Sequence, residues 1–241
     1  MDLLEPVKAR ESRKDREIRE SREIRESTRP SLKVEVFLDF VCPWCLIGIR
    51  HLDTAAKLLA DRRPDVQLQV VWRSHPLLPD TPVGGLPYQA FYVARLGSPK
   101  AVAMRRAQVQ QAGTVAGVHF DFERIKVLPN TAAAHALVAQ TALYSSAEQQ
   151  ARLIKRIFTA YFMEGEDIGD TSVLQRLALE CAIGAEGPDA QRHDAPADGR
   201  NPPAKVHYPI SGVPFYVFGE LLALSGAASP EALLDTMLQA L

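Results

Sequence analysis

Two cysteines separated by two residues, Cys42-Pro43-Trp44-Cys45, stand between a β-branched and aromatic run and an apolar helical pattern. No other feature restricts the fold of this chain as strongly. Lys33 to Phe40 reads as a strand. From Pro43 to about Ala60, Ile49, Leu52, Ala56 and Leu59 recur at helical spacing, with charged Arg50, Asp53, Lys57 and Asp61 between them. Cys42 then falls at a helix N-terminus, where unpaired N–H groups and the helix dipole favour a thiolate over a thiol. Cysteines so placed have pKa values lowered to about 3.5–7.5. Pro43 suits the first helical turn, because its missing N–H leaves nothing unsatisfied there. Trp44 offers a large apolar face beside the sulfurs. Cys45, one turn on, is placed to resolve a mixed disulfide formed at Cys42. Asp39, just ahead of the pair, is a candidate for moving a proton to or from Cys45. A structural zinc site needs four ligands, and no second Cys-x-x-Cys or His pair at ligand spacing follows, so no metal is expected.

Downstream, Val66, Leu68, Val70 and Trp72 alternate with polar residues, the pattern of a half-buried strand. Strand, helix and strand in that order predict a parallel βαβ unit with a right-handed crossover. The cysteine pair then lies at the carboxyl edge of the sheet, where open α/β sheets place their sites. A Pro/Gly-rich loop covers Ser74 to Pro87. Helical segments are expected at Tyr88 to Ala112, Thr131 to Tyr144, Ala147 to Phe162 and Thr171 to Ala182. Ser146 with Gln149 forms a capping box, Asn130 or Thr131 caps the second segment, and Asp170 caps the last. Cys181 shares an apolar face with Leu177 and Ala178 and reads as a small buried hydrophobe outside the redox pair. Near the C-terminus, Phe215 to Phe218 and Leu221 to Leu224 form a hairpin through Gly219-Glu220, a pair suited to a II′ turn. Ser229 and Pro230 start a final helix with Leu233, Leu234, Met237 and Leu238 on its apolar face.

The expected organisation is a charged extension over residues 1–32, the first part of an α/β core over 33–85, and a helical insertion over 86–183. A Pro/Ala-rich linker over 184–208 and the second part of the core over 209–241 complete it. Within the extension, Arg16-Glu17-Ile18-Arg19-Glu20-Ser21 is repeated at once as Arg22-Glu23-Ile24-Arg25-Glu26-Ser27. With Ile18 and Ile24 as its apolar residues, this repeat cannot build a core and reads as a solvated helix or a disordered tail. A net charge of −1 gives no global attraction to nucleic acid or membranes. No apolar run reaches a membrane-spanning length, and the N-terminus lacks an apolar signal core. The expected location is therefore cytoplasmic, where a Cys-x-x-Cys disulfide is transient and catalytic. Oligomeric state is left open.

Cys-Pro-Trp-Cys after a strand, followed by Leu46-Ile47-Gly48, resembles the DsbA-like thioredoxin superfamily, and most of all its FrnE-type dithiol oxidoreductases. Trp72-Arg73, Leu78-Pro79-Asp80, Asn130-Thr131 with Ala134-His135, Ala160 to Gly165, Asp167-Ile168 and Gly212-Val213-Pro214-Phe215 carry the same resemblance, from about Val34 to the C-terminus. His75 and the Pro-rich stretch Gly184 to Tyr208 depart from that pattern. The resemblance implies a thioredoxin-like core with a helical insertion domain covering the active-site face. It implies a cis bond before Pro214 facing the cysteines, and backbone at Val213 that pairs with an extended substrate. It also brings Asn130, Thr131 and His135 near the cleft, against the alternative that Thr131 and His135 simply pack between helices. The implied activity is disulfide exchange or isomerisation on a peptide or small-molecule disulfide. No bound cofactor is expected, and glutathione or another dithiol is the expected redox partner. Two other readings stand beside it. One is a glutathione-dependent isomerase or transferase on the same scaffold, like 2-hydroxychromene-2-carboxylate isomerase, whose members characteristically have Ser at the nucleophile position. The other is a non-catalytic, redox-sensitive binding protein.

Overall fold

The structure, a computed structural model, describes residues 29–183 and 208–241. The repeat-bearing tail and nearly all of the Pro-rich linker fall outside the described residues. Strand β1 (Ser31–Leu38) leads into helix α1 (Pro43–Arg62), which returns the chain to strand β2 (Gln67–Ser74). β1 and β2 are parallel, with Val34 opposite Val70 and Val36 opposite Trp72. Strand β5 (Phe215–Phe218) joins the other side of β1 antiparallel, and β6 (Leu222–Ser225) continues antiparallel from it. The four-stranded order is β2-β1-β5-β6, so the strand that delivers the cysteines is central. Val34, Val36 and Leu38 on that strand are buried, as are Cys45, Leu46, Ile49 and Leu52 on α1. Each such aliphatic side chain contributes about 1.5–3 kcal/mol by leaving water. The closing helix α7 (Pro230–Gln239) lies against α1, with Leu233, Leu234 and Met237 inward and Ser229 Oγ accepting from Ala232 N at its N-cap.

Between β2 and β5 lies the insertion. A two-residue ladder links β3 (Leu86–Pro87) to β4 (Val127–Leu128), a pairing the sequence pattern did not announce. The segment expected as one helix from Tyr88 is two: α2 (Tyr88–Leu96) and α3 (Pro99–Val115). Gly97 takes φ +88° and ends α2; Ser98 Oγ then accepts from Ala101 N and Pro99 occupies the first turn of α3. A Gly stop followed by a Ser cap and Pro start is a legible break that apolar periodicity alone overrides. Helix α4 (Ala132–Tyr144) is capped by Asn130 Oδ1, which accepts from Ala132 N, and Thr131 makes no cap bond. Helix α5 (Ala147–Thr159) carries the capping box of Ser146 and Gln149, then widens into a π turn over Ala160–Glu164. Helix α6 (Thr171–Glu180) starts at Asp170, whose Oδ1 accepts from Ser172 N. Phe40 joins the core to the insertion, its ring 4.9 Å from His135 and 5.0 Å from Phe158.

The β5–β6 turn differs from the II′ expectation. Leu221 N donates to Phe218 O, and both Gly219 and Glu220 have positive φ, +58° and +64°. That pair of signs is the mark of a type I′ turn. Lys33 Nζ holds the Glu220 carboxylate at 2.6 Å, and Tyr208 Oη donates to the Glu220 carbonyl, which anchors a non-glycine residue in this conformation. No helix among the described residues is long and apolar enough to cross a membrane.

Candidate active site

Cys42 is the N-cap of α1, in extended backbone, and Pro43 opens the first turn. Its N–H donates to Asp39 O at 3.1 Å, and its own carbonyl accepts from Cys45 N at 3.0 Å, so the two thiols are tied to one tight turn. Both are reduced, with Cys42 6% exposed and Cys45 0% exposed. This asymmetry in access sets their chemical roles. A hydrogen bond from the Cys45 thiol pulls the Cys42 pKa down against the cost of burial, with help from the N–H groups of Cys45 and Trp44. Burial and the neighbouring Cys42 sulfur push Cys45 well up. In its thiol form Cys42 donates to the Val213 carbonyl at 3.4 Å. Ionisation gives up that weak contact and gains the bonds offered by Cys45 and the helix turn. The pair therefore favours ionisation at Cys42, on the cleft side, over Cys45 behind it.

The Val213–Pro214 bond is cis and delivers the Val213 carbonyl to Cys42. Gly48 lets α1 approach this segment. A Cβ there would sit 3.0 Å from Pro214 Cγ and would clash with Tyr216 Oη. Tyr216 Oη is buried without a hydrogen-bond partner among the described residues, and burial pushes its pKa far up.

Behind the motif lies a second, wholly buried group. Asp39 is 0% exposed; its Oδ2 accepts from Leu77 N at 2.7 Å, and its Oδ1 lies 3.2 Å from His135 Nε2. Burial opposes ionisation of Asp39, but the hydrogen bonds from His135, Leu77 and Thr131 and the charge of His135 outweigh it and hold the carboxyl below its ordinary value. His135 and Thr131 thus meet the site through Asp39, from inside, and do not line the cleft. Asn130 is not in the cleft either. Its Nδ2 donates to Thr81 O at 2.5 Å, bracing the loop after β2 to the start of α4.

The open side is a cleft of about 340 Å³ between the motif and the insertion. Val41, Cys42, Pro43 and Trp44 form its floor. Tyr88, Phe91, Tyr92 and Arg95 from α2 and Arg105, Arg106 and Val109 from α3 form its wall, with Leu77, Leu78 and Phe122. The wall residues were not singled out from sequence, although Tyr88, Phe91, Tyr92 and Arg95 fall at one-face helical spacing. Also missed was a buried ion pair. Glu35 on β1 and Arg73 on β2, 2% and 9% exposed, are diagonal neighbours in the parallel ladder and bond through Arg73 Nε at 2.8 Å. An acidic residue inside an apolar strand was the available signal. Among the described residues no cluster of His, Cys, Asp and Glu is arranged to hold a metal ion.

A family model described as "DSBA-like thioredoxin domain" matches residues 33–238. The chain belongs to the DSBA-like thioredoxin domain family. As in that family, the α/β thioredoxin-like fold carries its helical insertion between strands. The chain is 24% identical over 205 residues to the uncharacterized protein YwbO of Bacillus subtilis (strain 168), covering 83% of this chain and 93% of that one. Among solved structures it is similar to a "probable DsbA oxidoreductase SCO1869" from Streptomyces coelicolor, with a TM-score of 0.70 and 22% identity over 87% of this chain and 89% of the other. It is also similar to a Nitrosomonas europaea protein provisionally assigned as a protein disulfide isomerase, with a TM-score of 0.56 and 18% identity over 87% and 98% of the two chains. At these identities the two structures bear on the fold. The DSBA-like assignment makes the chain a member of an oxidoreductase family with a Cys-x-x-Cys pair at the expected place.

Proposed function

We propose that this protein is a FrnE-type thiol–disulfide oxidoreductase working through Cys42 and Cys45. The observation that carries the reading is the split between the two thiols: Cys42 lines the cleft with its pKa pulled down, and Cys45 is sealed behind it with its pKa pushed up. The Cys42 thiolate attacks one sulfur of a substrate disulfide; a new S–S bond forms to Cys42, and the second substrate sulfur leaves as thiolate and takes up a proton. Cys45 then loses its proton and attacks the Cys42 sulfur, expelling the first substrate sulfur as a second thiol. In sum, the enzyme dithiol and one substrate disulfide become the enzyme disulfide and two thiols, two electrons passing to the substrate. Two molecules of glutathione, or one dithiol, restore the reduced enzyme by the same exchange steps and leave as the disulfide. Return of the first substrate sulfur to a different partner gives isomerisation. Asp39 is the candidate group for assisting proton transfer to or from Cys45, and His135 and Thr131 are positioning residues that hold its carboxylate. The Val213 backbone, beside Cys42, is the place for an extended substrate to pair.

The deciding experiment is titration of the Cys42–Cys45 pair in glutathione buffers with a count of free thiols, alongside turnover of a peptide disulfide. A reversible two-thiol transition, with turnover lost in Cys42→Ser, supports the reading. Full turnover in Cys42→Ser, or no reversible Cys42–Cys45 bond, rejects it and brings forward a glutathione-binding or partner-binding role.

A further inference from the structure

The cleft at Cys42 is apolar on its floor and positive at its rim. Trp44, Phe91 and Tyr92 present ring surface to it, and among the described residues no carboxylate lines it. Three arginines do, in a chain whose net charge is −1. Arg106 is already engaged: its guanidinium bonds Glu123 at 3.0 Å and Gln89 at 2.7 Å. Arg95 and Arg105 have no acidic partner among the described residues; Arg105 spends one N–H on Gln108 Oε1 at 3.3 Å and keeps the rest of its fork. Arg95 rests over the Phe91 ring at 5.9 Å, and Arg105 over the Trp44 ring at 5.6 Å. Stacking on an aromatic face fixes the direction of a guanidinium while leaving its N–H fork free for a carboxylate. Two such forks beside a mostly apolar cleft also raise the local concentration of anions.

We infer that this cleft takes peptide disulfides in which the attacked half-cystine is followed by an aromatic or large aliphatic residue and then by a carboxylate. This rests on the disulfide-exchange reading and adds a substrate class to it. The apolar side chain leaves water among Trp44, Phe91 and Tyr92, and the carboxylate meets Arg105 and Arg95. The chemistry at sulfur is that of the first exchange step: the Cys42 thiolate displaces one peptide thiolate, which takes its proton from solvent.

The test uses the full chain with Cys45→Ala, so that the mixed disulfide at Cys42 accumulates. Symmetrical disulfides of the tripeptides Cys-Phe-Glu, Cys-Phe-Gln and Cys-Gly-Glu are compared by the rate of adduct formation. Each rate is divided by that peptide's rate with free cysteine, which removes intrinsic differences among leaving thiols. Cys-Phe-Glu is expected to react about fivefold faster than either other peptide at low salt, and the Glu-over-Gln advantage is expected to shrink as salt rises. In Arg95→Gln/Arg105→Gln the ratio of the Cys-Phe-Glu rate to the Cys-Phe-Gln rate falls to one. Arg176→Gln, a change at a surface ion pair remote from the motif, keeps the full pattern. Equal normalised rates for the three peptides, or an advantage that survives loss of both arginines, overturn the inference and leave disulfide exchange intact. No adduct with any peptide overturns the disulfide-exchange reading itself.

Discussion

The two sides of the cleft are built by different rules. The floor belongs to the thioredoxin-like core: a central strand, a tight turn and a helix N-terminus place Cys42, Pro43 and Trp44 through backbone hydrogen bonds. The wall belongs to the insertion, where α2 and α3 contribute rings and guanidiniums through side chains alone. Floor geometry follows from backbone chemistry that tolerates few substitutions. Wall geometry follows from which residues happen to face inward. The contrast teaches a division of labour: the floor sets reactivity, and the wall sets what reaches it.

The largest expected effect lies within the floor. Cys42 should be alkylated by iodoacetamide at pH values where a free cysteine is mostly protonated, with Cys45 at least a hundredfold slower in the folded protein, because one thiol is lowered and lines the cleft and the other is raised and fully enclosed. Mass spectrometry of timed quenches reads both sites, and equal reactivity would erase the asymmetry on which the floor depends. Next, Arg73→Met should destabilise the protein by about 3–5 kcal/mol in denaturant unfolding, since it leaves the buried Glu35 carboxylate with the longer 3.9 Å contact to part-exposed Lys33 in place of its close guanidinium partner. Glu35→Gln/Arg73→Met should recover much of that loss.

Gly48→Ala should cost about 1–3 kcal/mol, outweighing the helix-propensity gain, because the new Cβ meets Tyr216 Oη and Pro214. Tyr216→Phe removes that unpartnered hydroxyl and should be neutral or stabilising by itself and relieve part of the Gly48→Ala loss, a coupling that thermal melts of the double-mutant cycle measure. Asp39 sharpens the comparison through pH. Its folded pKa is depressed, so its ionised form stabilises the protein above the ordinary carboxylate range, and that contribution is lost as pH falls through the lowered folded value. The stability of wild type relative to Asp39→Asn should therefore shrink below about pH 4, and a constant difference across the acid range would contradict the geometry. The smallest effect belongs to the wall. Phe91→Ala should lower kcat/KM for apolar peptide disulfides about three- to tenfold while leaving the Cys42–Cys45 potential unchanged. A shifted potential would show that the wall tunes reactivity after all.

Much of this molecule was readable before any coordinate. Strand, cysteine pair and helix followed from local pattern, because capping chemistry and 3.6-residue periodicity are properties of neighbours in the chain. The caps at Ser146, Asp170 and Ser229 were legible for the same reason. The break at Gly97-Ser98-Pro99 was equally local and was overridden by a continuous apolar pattern. What the chain by itself determined is the reactive group: which thiol sits on a helix N-terminus and which lies one turn inside. Tertiary structure alone decided the environment of that group. Asp39 and His135 are 96 residues apart, Glu35 and Arg73 are 38 apart, and Cys42 and Val213 are 171 apart. Such pairings depend on strand order and on how an insertion folds back, and no local spacing encodes them, because long-range contacts are selected by the burial of whole faces rather than by neighbouring residues.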